Sequence, residues 1–170
     1  GQTNLTIDAG YYRLGRIGDF VWEDLDSDGI QDAGEPGIPN VTVILTGTDA
    51  LGNPVNQSTT TNAMGMYEFI NLVPGTYTVT FVRPGSNYLS SPANVGLNDA
   101  VDSDANEVTG ATAPFFLSSN ENNTTVDAGF YRCAKVGDFV WLDTGTQENI
   151  QDAGDIGLNN ITVELYLASN

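Results

Sequence analysis

The alternation of apolar and polar residues along the chain predicts short β-strands and almost no helix. In segments 41–46 and 76–81, apolar residues at the odd positions alternate with even positions that are mostly threonine. A period of two with β-branched and aromatic residues is typical of half-buried antiparallel strands. Pro74 and Gly75 predict a tight turn before the second segment. Further strands are predicted at 17–22, 57–62, 67–70, 113–118 and 124–131.

Short strands separated by glycine, proline and asparagine turns favour an all-β fold, an antiparallel β-sandwich. Because most aromatic residues fall on the strand alternation, we interpret them as core residues and not as a platform for carbohydrate. The residues predicted to form the core are Trp22, Val41, Val43, Leu45, Tyr67, Phe69, Leu72, Tyr77, Val79, Phe81, Phe116 and Val126.

Three blocks of sequence recur in the same order along the chain. Asp-Ala-Gly-Tyr-Tyr-Arg at 8–13 returns as Asp-Ala-Gly-Phe-Tyr-Arg at 127–132, an offset of 119 residues (8 to 127). The other two pairs are 18–22 with 137–141, and 31–34 with 151–154. A period of this length is too long for a solenoid and indicates tandem domains.

The phase of the repeat predicts how the chain is divided. Residues 1–13 are predicted to be the last strand of a preceding module, and residues 14–133 a complete module. Residues 134–170 are predicted to be the first strands and an altered loop of a following module. The alternative is a single domain with an internal duplication, which is disfavoured because the repeated ends join head to tail in order.

Acidic residues add a candidate chemistry to this β-rich chain. Its 170 residues include 22 Asp and Glu, 5 Lys and Arg and no His, giving a formal net charge of −17. Such a charge repels nucleic acid and anionic lipid, so we expect neither as a partner. The acidic residues cluster at 24–35, 99–107 and 143–155, which favours metal loops over a uniformly charged surface. The lack of histidine removes the commonest general base and zinc ligand.

Residues 24–35 match a twelve-residue calcium loop. Aspartates stand at loop positions one, three, five and nine, glycine at six and glutamate at twelve, and position seven offers a backbone carbonyl. Ordinary turns use the same residue types but rarely match so many positions. Ca²⁺ takes about 6–8 oxygen ligands, and alternate residues of a tight loop point toward one centre. The predicted ligands of this first site are Asp24, Asp26, Asp28, Ile30 through its carbonyl, Asp32 and Glu35.

Further sequence blocks stand at 18–24, 37–43, 65–79, 102–106 and 124–131. In this order they resemble the B-type repeat of the serine-aspartate repeat surface proteins, and the resemblance extends over the whole chain. It implies a Cna-B-like or prealbumin-like β-sandwich that is secreted and binds calcium. It also implies use as a rigid stalk segment in adhesins and cell-surface filaments.

The resemblance implies more than one calcium ion in each module. A second site is suggested in the acidic segment 99–107, because an Asp-x-Asp spacing places two carboxylates on one side of an extended chain. The alternative is an acidic surface loop, since spacing alone places no closing glutamate there. The ligands expected in this second site are Asp99, Asp102, Asp104 and Asn106, completed by Asp19 from the first strand.

The loop at 143–155 departs from the family pattern. It has one additional residue, and its closing position is the shorter Asp155. Gly145 stands where the first loop has Asp26, and Gln147 or Asn149 where it has Asp28. Fewer charged ligands weaken calcium binding, so we predict a bound ion in the first loop and weak or no binding in this one.

A second departure concerns covalent cross-linking. Some Cna-B-like domains stiffen themselves with an isopeptide bond between lysine and asparagine. Lys135 is the only lysine in the chain, and Arg16 stands at the matching position of the complete module. We therefore expect no such bond in the complete module, and we expect calcium to take over the stiffening.

Together these patterns predict a structural protein and no enzyme. The leading hypothesis is a calcium-stabilised stalk or spacer that is extracellular, either secreted or on a bacterial cell surface. Its expected partners are neighbouring modules or other copies in a filament, without membrane insertion in this segment. The alternative is an adhesive module that recognises a host protein or polysaccharide, for which a long loop such as 83–112 offers room. Cys133 is either a boundary residue without a partner or the site of an interchain disulfide.

Overall fold

The computed structural model describes residue 6, residues 8–144, residue 147 and residues 150–166. The chain divides into two compact units, Gly1–Cys133 and Ala134–Asn170. The described residues of both units form strands, turns and irregular segments, and none of them is helical. This confirms the all-β fold class that the alternation predicts.

The described part of the first unit contains ten strands in three sheets. The strands are β1 (Gly15–Ile17), β2 (Val21–Glu23), β3 (Thr42–Asp49), β4 (Pro54–Thr60), β5 (Phe69–Leu72), β6 (Gly75–Phe81), β7 (Tyr88–Ser90), β8 (Phe115–Leu117), β9 (Asn122–Asn123) and β10 (Ala128–Arg132). The sheet orders are β4-β3-β6-β8, β5-β1-β9 and β2-β10-β7.

The four-stranded sheet supplies one wall of the core. β3 pairs with both β4 and β6 in antiparallel register, and Leu45 lies opposite Val79. The inward side chains of β3 and β6 are fully buried, and each contributes about 1.5–3 kcal/mol relative to an exposed position. They pack in one cluster with Ile17, Val21 and Phe130 from the two smaller sheets. This packing is the predicted β-sandwich.

Two strand pairs of the predicted antiparallel sandwich are parallel. β1 lies parallel to β9, and β2 lies parallel to β10. Ile17 pairs with Phe69 and Phe20 pairs with Met66 in the same antiparallel direction, so β1 and β2 follow one path. β10 runs in the same direction as β2. The chain therefore enters β1 at one end of this unit and leaves β10 at the opposite end.

Eleven of the twelve predicted core residues are buried, and Phe116 is wrong. The segment has three consecutive apolar residues, Phe115, Phe116 and Leu117, so its alternation does not show which face is inward. Tyr77 pairs with Phe115 and Gly75 with Leu117, which turns Phe116 to the outer face with 60% of its surface exposed. Leu117 is fully buried in its place.

Several strand boundaries differ from the predicted ones. The strand predicted at 17–22 is broken at Gly18 and Asp19, and Phe20 forms only an isolated bridge with Met66. The strand predicted at 124–131 begins only at Ala128. β4 and β5 are each shifted by two to three residues from the segments predicted at 57–62 and 67–70. β7 has three residues and was not predicted, since so short a segment shows no period.

The second unit has two described strands, β11 (Trp141–Leu142) and β12 (Ile156–Gly157), which pair antiparallel. Val163 matches buried Val43 by the repeat, yet 76% of its surface is exposed. Near the start of the chain, residues 8–14 belong to no strand. The assignment of residues 1–13 and 134–170 to neighbouring modules stays a prediction.

Candidate metal centre

The first predicted site begins where β2 ends. Asp24 follows Glu23, the last residue of that strand, and only 1% of its surface is exposed. One carboxylate oxygen of each of Asp24, Asp26 and Asp28 lies within 4.8 Å of the other two. The structure thus brings together the loop residues at positions one, three and five, as the spacing predicts.

Hydrogen bonds within the loop hold this shape. Asp24 accepts from the Ser27 and Gly29 peptide N–H groups, at 2.6 Å and 3.0 Å, one on each carboxylate oxygen. Gly29 has a φ of 82°, and a Cβ there would lie 2.3 Å from the Pro92 carbonyl oxygen. Glycine is therefore required at position six both by the backbone conformation and by the close approach of a second segment.

The end of the loop folds back on its beginning. Glu35 accepts from the Leu25 peptide N–H at 2.7 Å with one oxygen and from the Asp32 peptide N–H at 3.0 Å with the other. Asp32 is exposed and lies outside the group of three converging carboxylates among the described residues. Glu35 closes the loop through the main chain, so its carboxylate is held at the loop entrance.

The loop at 24–35 is joined to the acidic segment 99–107 by a short antiparallel bridge. Ile30 faces Asp102 in this bridge. The Gln31 peptide N–H donates to the Val101 carbonyl at 2.6 Å, and the Ser103 peptide N–H donates to the Gly29 carbonyl at 3.0 Å. These bonds flank Ile30, which leaves its carbonyl, the predicted ligand at position seven, out of the bridge ladder.

A cluster of buried and half-buried carboxylates includes Asp102, which forms this bridge with Ile30. Burial, followed by the charges of Asp99 and Asp102, raises the pKa of Asp104 to about 7, against the lowering effect of a backbone hydrogen bond. Burial, together with Asp19, Asp104 and Asp102, raises the pKa of Asp127 to about 9. Burial also raises the pKa of Asp19 and of Asp102. These mutually repelling carboxylates fit protonation or the binding of a cation. Among the described residues, however, no three of them bring their oxygens within 4.8 Å of one another, as the first loop does.

Asp127 is the residue that the sequence reading missed. It is fully buried; one oxygen accepts from the Phe20 peptide N–H at 3.0 Å, and the other has no hydrogen-bond partner among the described residues. Asp104 accepts from the Asp127 peptide N–H at 2.7 Å, and Asp102 is a second buried acid with an unpartnered oxygen. An unpaired buried carboxylate oxygen is costly, and a bound cation would pair it.

The remaining predicted ligands of this cluster occupy its edge. Asp99 is exposed and, with Asp104, Asn123 and Thr125, lines a recess of about 190 Å³. The side-chain oxygen of Asn106 accepts from the peptide N–H groups at 108 and 109, so it caps its own turn. The candidate ligand atoms at both sites are oxygens, and oxygen ligands suit a hard divalent cation such as Ca²⁺.

The loop at 143–155 retains the main-chain hydrogen bonds that close the first loop. Asp155 accepts from the Thr144 and Asp152 peptide N–H groups at 3.0 Å and 2.8 Å, as Glu35 does at the matching positions of the first loop. Positions 145 and 149, on which the prediction of weak binding depends, lie outside the described residues. That prediction therefore stays open, while the main-chain closure of the loop is retained by the shorter acid.

No described helix is long and apolar enough to cross a membrane. Among curated proteins, the chain is 36% identical over 168 residues to serine-aspartate repeat-containing protein D of Staphylococcus aureus strain Newman. It is 38% identical over 169 residues to serine-aspartate repeat-containing protein E of strain USA300. Each match covers 97% of this chain, which spans only 12% and 14% of those two proteins.

Two solved structures match part of the chain at low sequence identity. The minor pilin GBS52 of Streptococcus agalactiae matches with a TM-score of 0.41 and 11% identity, over 74% of this chain and 48% of that one. The shaft pilin SpaA of Lactobacillus rhamnosus GG matches with a TM-score of 0.37 and 9% identity, over 73% and 52%.

The family comparison covers the unit that carries both candidate sites. The model of the SdrD B-like domain matches residues 15–130, which contain β1 to β10 almost completely, the loop at 24–35 and the buried acidic cluster. This match, with the identity to the serine-aspartate repeat proteins, confirms the resemblance found in the sequence blocks. The chain belongs to the SdrD B-like domain family.

Proposed function

We propose that the chain is a calcium-stabilised structural repeat, a stalk or spacer in an extracellular adhesin or cell-surface filament. The observation that carries the proposal is the convergence of the Asp24, Asp26 and Asp28 carboxylates on one point of a glycine-turned loop. Family membership supports the structural role, which requires no catalytic group. Neighbouring modules of the same protein, or other copies in a filament, are the partners that fit such a role.

Two groups of residues would hold the ions. The first comprises the three converging aspartates, with the Ile30 carbonyl, Asp32 and Glu35 completing the loop. The second comprises buried Asp102 and Asp127 with half-buried Asp19 and Asp104, and Asp99 lies exposed at its edge. A bound Ca²⁺ supplies the positive charge that these groups otherwise lack. The residues themselves orient oxygen atoms toward the ion.

The stabilisation would act through binding to the folded state. The unfolded chain has no preformed site, so each ion stabilises the fold by about 2.7 kcal/mol at a free concentration 100 times its dissociation constant. Millimolar extracellular calcium fills even weak sites. Because the Gly29–Ser103 bond links the loop to the acidic segment, an ion in the loop also braces the segment that carries Asp102 and Asp104.

Calorimetric titration of the chelator-treated chain with Ca²⁺ tests the proposal, together with thermal unfolding of the same samples. We expect binding and a rise in the unfolding midpoint, with Asp28→Asn losing the ion of the first loop. Asp8→Asn is the matched control, because it removes one exposed charge outside both sites. A chain that binds no calcium, or that unfolds at the same temperature with and without it, would sink the proposal.

A further inference from the structure

The arginine that ends β10 is held by its own module through its side chain. The Arg132 guanidinium lies 2.9 Å from one oxygen of Glu23 and donates to the other at 3.0 Å. It also donates to the Tyr88 hydroxyl at 2.9 Å and lies over the Tyr88 ring, 5.1 Å from its centre. Glu23 directly precedes the first loop, so this contact marks the end of the module from which β10 leaves.

The matching arginine at the other end of the module is held through its peptide groups. The Arg13 peptide N–H donates to the Ser119 hydroxyl at 2.9 Å, and the Arg13 carbonyl accepts from the Asn120 peptide N–H at 3.1 Å. Both partners belong to a turn at 118–121 that Glu121 closes by accepting from the Ser118 peptide N–H at 2.6 Å. This turn therefore binds the main chain at Arg13, just before the first strand of the module.

Arg13 and Arg132 occupy equivalent places in the repeat. Segment 8–13 matches segment 127–132, and Tyr11 therefore corresponds to Phe130. Phe130 is fully buried in the module core, whereas 95% of the Tyr11 surface is exposed. Segment 8–13 thus has a sequence like that of β10, but it is not paired in a sheet that would bury Tyr11.

The two kinds of contact use different groups of the same residue. In the pairing of β10 with β7, the Cys133 peptide N–H donates to the Asn87 carbonyl and the Gly129 carbonyl accepts from the Ser91 peptide N–H. Because hydrogen-bonding residues alternate along an antiparallel pair, the peptide groups of Arg132 face the β2 side of β10. β2 ends opposite Phe130, so these peptide groups lie beyond its last paired residue. One arginine can therefore bind its own module by its side chain and a following module by its peptide.

We propose that the boundary arginine joins consecutive modules in this way. The surface formed by Arg13 and the 118–121 turn takes as its partner the end of the module before it, which presents the counterparts of Glu23 and Tyr88. Only Leu14 separates Arg13 from β1, so the guanidinium fixes the direction in which the next module starts. The inference rests on the structural-repeat part of the proposed function and not on calcium.

The test extends the full chain at its N-terminus with a second copy of residues 14–126 joined to Asp8, so that segment 8–13 completes the added module. Amide ¹⁵N relaxation measures whether the two modules tumble together. We expect one shared rotational correlation time, which Arg13→Ala lowers toward the value of a single module. Arg83→Ala in the original module is the matched control, because this arginine is exposed and follows the end of β6 farther from the 118–121 turn.

A charge reversal distinguishes the ion pair from a loss of folding. Arg13→Glu alone should uncouple the modules, and Arg13→Glu combined with Glu23→Arg in the added copy should restore part of the coupling. Modules that tumble together after Arg13→Ala, or independently in the unsubstituted tandem, would overturn the inference. Thermal unfolding in calcium and in chelator, measured on the same samples, tests the calcium proposal separately.

Discussion

Replacing Asp127 by asparagine should change stability in opposite directions in the metal-free and the calcium-loaded protein. Without metal, burial and the neighbouring carboxylates, Asp19 first, raise the pKa of Asp127 to about 9. A group whose pKa is higher in the folded state binds more protons when folded. Its stabilising contribution is therefore complete below the unfolded pKa of about 4 and is lost as the pH rises toward the folded value.

The expected size follows from the linkage between protons and folding. Between those two pKa values, the metal-free protein loses about 1.4 kcal/mol of stability per pH unit through this one group. Asparagine keeps the acceptor for the Phe20 peptide N–H but has no proton to lose. In chelator at pH 8, Asp127→Asn should therefore be the more stable protein. In saturating calcium it should be the less stable one, by up to about 2.7 kcal/mol at 100 times the dissociation constant.

Urea unfolding at pH 5, 6, 7 and 8, followed by the fluorescence of buried Trp22, measures both effects. Asp8→Asn is the matched control, because Asp8 has the same place in the repeated Asp-Ala-Gly block but is exposed. If Asp127→Asn lowered stability equally in chelator and in calcium, with no dependence on pH, Asp127 would have only a packing role and the reasoning would fail.

Three further outcomes are expected. Gly29→Ala should lower the free energy of unfolding in urea by more than about 1 kcal/mol, because a methyl group would meet the Pro92 carbonyl, whereas Gly52→Ala, which has a similar positive φ but open space around it, should cost less. Leu117→Ala should cost about 2–5 kcal/mol and Phe116→Ser less than about 0.5 kcal/mol, and equal costs in urea unfolding would contradict the register of β8. Chelation should lower the thermal midpoint, and calcium should restore it where sodium chloride of equal ionic strength does not.

The first loop could be predicted from the sequence because its ligands are contiguous and their spacing is fixed by one turn of chain. Most of the core could also be predicted, because the alternation of apolar and polar residues is clear in β3 and β6. Phe116 was misplaced because three apolar residues in a row carry no period. The pairing of Tyr77 with Phe115, which decides the inward face, is a property of two strands and not of one.

Asp127 shows why the second cluster could be predicted only in part. It stands alone between Val126 and Ala128, with no second acid near it in sequence. It meets Asp19 because β10 lies beside β2, and it meets Asp104 because the Asp104 peptide N–H donates to the Asp127 carbonyl. The return of aspartate in both Asp-Ala-Gly blocks was the available signal. Glycine is required at position 129 of that block because a Cβ there would lie 2.9 Å from both Ser91 and the Trp22 ring.

The parallel pairing of β2 with β10 has a mechanical consequence. A pull applied through residue 14 and residue 132 draws these neighbouring strands past each other along their length, since both run in the same direction. The hydrogen bonds between them are then loaded together in shear and do not open one at a time. The loop that begins at Asp24 follows directly from the loaded strand, so an ion bound there would tighten the element that carries the tension.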